Sequence, residues 1–386
     1  MSLKEKTPRP APQWRAFLAL GFRPLYLAGC AWAALSVALW IGAPHWIGGE
    51  LAGVAWHAHE MLWGFVATIA VGFLFTAGAN WSGVNPLRGP ALGALCLLWL
   101  AARAGFLLPG REAFLAAAAC ELAFFAWAAA ALARALFKGR NRRNYAVPFV
   151  LLALGAADAA YLAAALKGDY ALLMQRFGTG LLCMALAALL IARRVIPFFA
   201  MRAVPGLEIP MHTRSGQWQL GAVVLAVGAG LLGQGAVMAA ALAVAGAIAL
   251  VQLLAWKPWA VRRQPLLWIL YAGYAGLGAG LLVGAAHAAG WVGRTAWPAH
   301  VIGVAGFSVL IIGMVTRTAL GHLGQPLRTD RAMVTAYALV IAAAALRLLA
   351  LLPSAHSLSL LHASATAWIL AFAMYVWRFA PMMVRP

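Results

Sequence analysis

The chain has 386 residues, 65% of them hydrophobic and only 10% charged, with a mean hydropathy of +0.86. Those values exclude an ordinary soluble domain and define a polytopic membrane protein. The net charge of +20 would suggest nucleic acid as a partner in a soluble protein; here its distribution follows the membrane, so no nucleic acid is expected.

Windows of about 19 residues predict an all-α bundle of about twelve transmembrane spans. In chain order they lie near 24–42, 54–78, 89–108, 113–137, 145–166, 170–192, 216–233, 235–255, 264–288, 297–316, 332–352 and 357–378. The pair between 216 and 255 is the hardest to divide, because only "GQGA" separates its members. Residues 1–386 read as one integral membrane domain, with 1–15 as a disordered or interfacial segment that includes "KEKTPRPAP". No cleavable signal peptide stands out, so the first span is expected to remain as an anchor.

Lys and Arg alternate from loop to loop. Of 29, 23 fall before or at the start of span one or in the loops after spans two, four, six, eight, ten and twelve. The other loops hold only Arg111, Lys167 and Arg294. This is the positive-inside pattern: both termini are expected in the cytoplasm, with anionic membrane lipids as partners of the basic loops. Arg103, Arg176 and Arg347 fall within spans. Arg23 and Arg317, near the cytoplasmic ends of their spans, are expected to contact helix ends or lipid phosphate.

Cys30, Cys96, Cys120 and Cys183 sit singly in four spans. Without CxxC or CxxCH they make no thiolate metal site and no c-type haem attachment, and they read as small core residues.

The topology gives the histidines a geometry. His45, His57, His59, His287, His300, His356 and His362 all fall at or near the outer face; His212 and His322 fall inside. His45, His287 and His356 suit an amphipathic interface. His57 and His59 differ, because "WHAHEM" places them beside Glu60 at the head of a long apolar run. On a regular helix they are about 200° apart and serve different neighbours, whereas Glu60 lies about 60° from His57. Below His57 the stripe continues through Gly64, Thr68 and Gly72; below His300 it runs through Gly303, Gly306 and Gly313. An imidazole above a glycine stripe suits a flat macrocycle, yet glycine stripes also serve close helix packing. Haem, another metal, and packing or a proton path all remain open. Glu121, Asp158, Arg103, Arg176 and Arg347 are either structural ion pairs or the lining of a proton or substrate route.

At this point the motifs add a family. "GFRPLYL", "WHAHEMLWGF", "GFLFTAGANWSG", "RRVIPFF", "QPLLWIL", "PAHVIGVAGF" and "MVTRTALGHLGQPL" run the length of the chain. In their order and spacing the sequence resembles the NnrS family, haem- and copper-containing membrane proteins of the bacterial nitric oxide response. The resemblance implies a polar signature of His57, His59, Glu60, His300 and His322. It implies haem b as cofactor with copper as a further candidate, nitric oxide or a similar small diatomic as ligand, and the bacterial inner membrane as location. It also implies histidines in spans five and nine, where this chain has Tyr161 and Tyr271; His362 and His287 are the available substitutes.

The resulting expectation is a b-type haem near the outer leaflet, held by His300 and one of His57 and His59. His57, His59 and His300 are the candidate metal ligands, His362 and His322 further cofactor contacts, and Glu60 the proton carrier. Binding of, or protection against, nitric oxide ranks above reductive turnover, which would need an electron donor that the sequence does not identify. The rival is a proton-coupled secondary transporter without haem, in which Glu60, Asp158 and the histidines form the coupling chain.

Overall fold

The computed structural model describes residues 11–386. Among these the chain is helical throughout, with no strand; of the expected 1–15 segment, residues 1–10 lie outside the description, and Trp14–Phe17 forms a short helix. Ten helices are long and apolar enough to cross a membrane.

Helices lie at each of the twelve expected positions, ten of them long and apolar enough to span: α1 (Phe22–Gly42), α2 (Val54–Ser82), α3 (Pro90–Gly105), α4 (Arg111–Lys138), α5 (Val147–Leu166), α6 (Tyr170–Ala203), α7 (Thr213–Leu231), α8 (Gly235–Ala255), α9 (Pro265–Ala288), α10 (Ala296–His322), α11 (Arg331–Leu349) and α12 (Ser357–Met383), with α3 and α7 outside the ten. Two differ from the rest. α3 has only 16 residues, about 24 Å at 1.5 Å per residue, and α7 opens on the polar run "TRSGQWQ". The "GQGA" stretch does divide two helices, with Gly233 at a φ of +70° that a side chain would resist. Helix starts follow local chemistry. Pro90 and Pro265 occupy first-turn positions where no N–H is needed, while Asp169 and Asp330 accept the N–H groups of Leu172 and Met333.

Chain neighbours pack against one another, and α12 closes back on α1. Trp368 donates its indole N–H to the Ala33 carbonyl at 2.8 Å. As expected for a basic residue at a helix end, Arg23 reaches the carbonyls of Met383 and Arg385 at 3.0 and 2.6 Å, satisfying acceptors left over where α12 ends. Gln13 N–H donates to the Val384 carbonyl at 2.7 Å, so both ends of the described chain meet on one face, here called the terminal face. Arg317, expected at a helix end or lipid phosphate, instead lies 3.8 Å above the Phe199 ring, a cation–π contact.

α2 and α10 lie inward. The apolar window of α2 is 83% buried, and each of the two contains a wider π-helical segment, Glu60–Ala67 and Val301–Ser308, through which the two touch. Such segments recur at functional sites, because an extra residue per turn redirects the side chains around it.

Candidate functional site

His57 and His59 do face different neighbours. His57 stacks on Trp40, ring centroids 5.3 Å apart at 14°. The π segments of α2 and α10 pack against each other and α11 packs against α10, and the ends of these helices farthest from the terminal face carry His57, His300 and Arg347. The His300 Nδ1 is 2.7 Å from the Ala296 carbonyl, a contact that makes Nδ1 the protonated nitrogen and leaves the Nε2 lone pair available. The His57 Nδ1 is buried without a partner.

His59 turns the other way, into a charged cluster closed off from solvent. Its Nδ1 is 2.9 Å from Glu60 Oε1, and its Nε2 is 3.1 Å from Asp158 Oδ1 and 3.3 Å from Glu121 Oε2. Arg103 bridges Glu60 at 2.7 Å and Glu121 at 2.5 Å, and Trp32 donates its indole N–H to Glu60 Oε2 at 2.5 Å. All five charged side chains are at most 2% exposed. The position is about 15 Å into α4 for Glu121, ten residues from Arg111. Burying charge so deeply costs several kcal/mol per ion unless each is paired, and the pairing across α2, α3, α4 and α5 meets part of that need. Asp158 Oδ2 and Arg103 Nε are buried with no hydrogen-bond partner.

The expected sites divide accordingly. His57 and His300 share one end of the touching helices α2 and α10, whereas His59 belongs to the carboxylates, so the three proposed metal ligands do not surround one point. Glu60, expected beside His57, accepts from His59, Arg103 and Trp32 instead. His322 lies 22 residues from His300 at the other end of α10, about 33 Å along the helix, against Phe22 and with its Nε2 3.5 Å from Asn80. His362 is exposed on α12. Tyr161 packs its ring 5.8 Å from His59 and donates to the Ala55 carbonyl at 2.8 Å. Tyr271 is remote from the cluster, donating to Trp256 at 3.1 Å. His287 holds the Val292 carbonyl through Nδ1 at 2.6 Å.

The glycine stripes are packing devices with one exception. A Cβ on Gly72 would meet Tyr26, on Gly306 the Leu277 backbone, and on Gly313 Ile269; at Gly64 it would strike Arg103, Glu60 and Trp32. Only Gly303, one turn below His300, has open space beside it. Arg103, Glu121 and Asp158 were visible in the sequence as lone ionisable residues in apolar spans, but their meeting with His59 was not.

The helical architecture, with ionisable groups collected inside it, defines a multi-pass membrane protein with a buried polar centre. The chain belongs to the NnrS family: the family described as NnrS protein matches residues 16–386, nearly its full length. No curated protein matches the chain.

Proposed function

We propose that this chain is a haem-binding protein of the bacterial inner membrane that serves the nitric oxide response, with its cofactor between His57 and His300. The observation that carries this reading is that those two imidazoles stand at the same end of α2 and α10, whose π segments touch, with Arg347 at that end of the adjoining α11. The donor chemistry fits. His300 is oriented through Nδ1 with Nε2 free, His57 has an unpartnered buried nitrogen, and the space beside Gly303 admits a planar edge. His57 and His300 would hold the haem, which would supply iron as the group that binds nitric oxide. Arg347 would offer a positive charge to the cofactor's carboxylates, Trp40 would steady the His57 ring, and the apolar flank of α10 would keep water away. Nitric oxide is neutral and dissolves in the bilayer, so a site at shallow membrane depth meets its ligand without an aqueous channel. Binding and protection rank above reductive turnover. A three-imidazole copper site is not favoured, because His59 is turned to the carboxylates.

Purified full-length protein from haem-replete cells should be red, with a reduced-minus-oxidised Soret band that shifts when nitric oxide is added. His57→Ala and His300→Ala should each lower haem content or change the iron spin state, whereas His362→Ala and His322→Ala should leave the spectrum unchanged. Colourless wild-type protein would refute the haem reading and favour the proton-coupled transporter.

A further inference from the structure

The charged cluster holds three carboxylates, Glu60, Glu121 and Asp158, against one permanent cation, Arg103. With all three carboxylates ionised, the five groups carry a net charge of −1 if His59 is protonated and −2 if it is neutral. Uncompensated charge fully enclosed among apolar helices is strongly disfavoured. A single divalent cation would balance the neutral-histidine state completely.

The geometry supplies a place for it. His59 Nε2, a Glu121 oxygen and an Asp158 oxygen all lie within 4.8 Å of one another, and the two distances from Nε2 are 3.1 and 3.3 Å. Ligands at about 2.0–2.2 Å from a tetrahedral ion stand roughly 3.3–3.6 Å apart, close to both distances from His59 Nε2. Behind them the supports are already set. Glu60 lies 2.9 Å from the His59 Nδ1, the carboxylate–histidine arrangement that fixes a ligating imidazole with its far nitrogen free. Glu60 is itself clamped by Arg103 and Trp32, and Arg103 also holds the ligating Glu121. Independently of the cluster's charge, the buried Asp158 Oδ2 is left with no hydrogen-bond partner, as a carboxylate that awaits a further ligand would be.

We propose that His59, Glu121 and Asp158 bind one divalent transition-metal ion of the Zn2+ or Mn2+ type, with Glu60, Arg103 and Trp32 as positioning residues. Two carboxylates and one imidazole suit these ions better than a soft copper(I) site. Three protein ligands leave a coordination position for water or a small ligand. Tyr161 is the neighbouring ring that bounds the site. This centre is separate from the His57–His300 pair and does not rest on the haem reading.

The test uses the purified full-length chain. After treatment with a chelator, the protein is titrated with Zn2+ and, separately, Mn2+ by competition against a chromophoric chelator, and metal is counted by mass spectrometry. The expected result is one ion per chain in addition to any haem iron, with Asp158→Asn and Glu121→Gln each weakening binding by at least 10-fold. His57→Ala should lose haem and retain this ion, so failure of either reading is distinguishable from failure of the other. Because the variants remove groups from a buried network, wild-type protein provides a second arm: its thermal unfolding temperature should fall on chelation and recover with Zn2+ or Mn2+. The proposal is overturned if wild type takes up no more of either metal than Asp158→Asn and its unfolding temperature ignores both chelator and metal. The cluster would then be balanced by protons alone.

Discussion

Replacing Arg103 by Met is the sharpest test of what holds the first half of the bundle together. The side chain is 1% exposed and contacts Glu60 and Glu121 at 2.7 and 2.5 Å, and its guanidinium lies 6.0 and 5.5 Å from the Trp99 and Phe106 rings. Methionine keeps much of the apolar stem and removes the cation, so three buried carboxylates are left facing His59 alone. Breaking a buried pair by deleting one partner costs about 3–5 kcal/mol, mostly because the other charge is stranded. Combining Arg103→Met with Glu121→Gln removes one of the two carboxylates that Arg103 paired, and should recover about 2 kcal/mol of that loss. SDS-driven unfolding in mixed micelles, followed by tryptophan fluorescence, measures both, with Trp32 and Trp99 beside the cluster as reporters. A loss below about 1 kcal/mol for the single variant, or strict additivity in the double, would refute the view that this network is tightly paired and closed to water.

Other outcomes follow from the same geometry. Gly64→Ala should destabilise the protein by about 2 kcal/mol, since the new methyl group would strike Arg103, Glu60 and Trp32 together; wild-type stability in the same unfolding assay would contradict it. Arg23→Met should loosen the end of α12 by freeing the carbonyls of Met383 and Arg385, seen as faster trimming of the C-terminus by carboxypeptidase. Burial alone would raise the carboxyl of Asp330, but the Met333 N–H and the Arg378 guanidinium, 2.6 Å away, hold it below the usual aspartate value. Its contribution is therefore present above the unfolded value near pH 3.9 and is lost as pH falls through the lower folded value. Asp330→Asn keeps the helix cap, so it should cost about 0.5 kcal/mol at pH 7 for this partly exposed pair, and nothing in strong acid. An equal difference at both pH values would show that the charge does not contribute.

Fold class was legible because it depends on composition and length alone: apolar runs of about twenty residues must be helices when no water satisfies the backbone. The different roles of His57 and His59 were legible too, since their 200° separation survives in the short α-helical turn Val54–His59. What could not be read was everything that depends on a second helix. Glu121, Asp158 and Arg103 each occur alone in an apolar span, and no local pattern says that they share a point with His59. The glycines misled for the same reason: Gly72, Gly306 and Gly313 are filled by neighbours that only the packed bundle supplies. The π segments leave little trace, because over eight residues they differ from an α-helix by a single extra position.

That extra position has a mechanical meaning. Removing one residue from Val301–Ser308 would let the segment relax to ordinary pitch, its wide turns absorbing most of the change, whereas removing one from the regular turns of Val309–His322 would swing everything on one side of the deletion by about 100° relative to the other. With the rest of α10 anchored by its neighbours, the second deletion would rotate His300 out of phase with His57 while the span stayed in the bilayer. The placing of the two imidazoles is thus set by rotational phase along α10 as much as by the identity of either side chain.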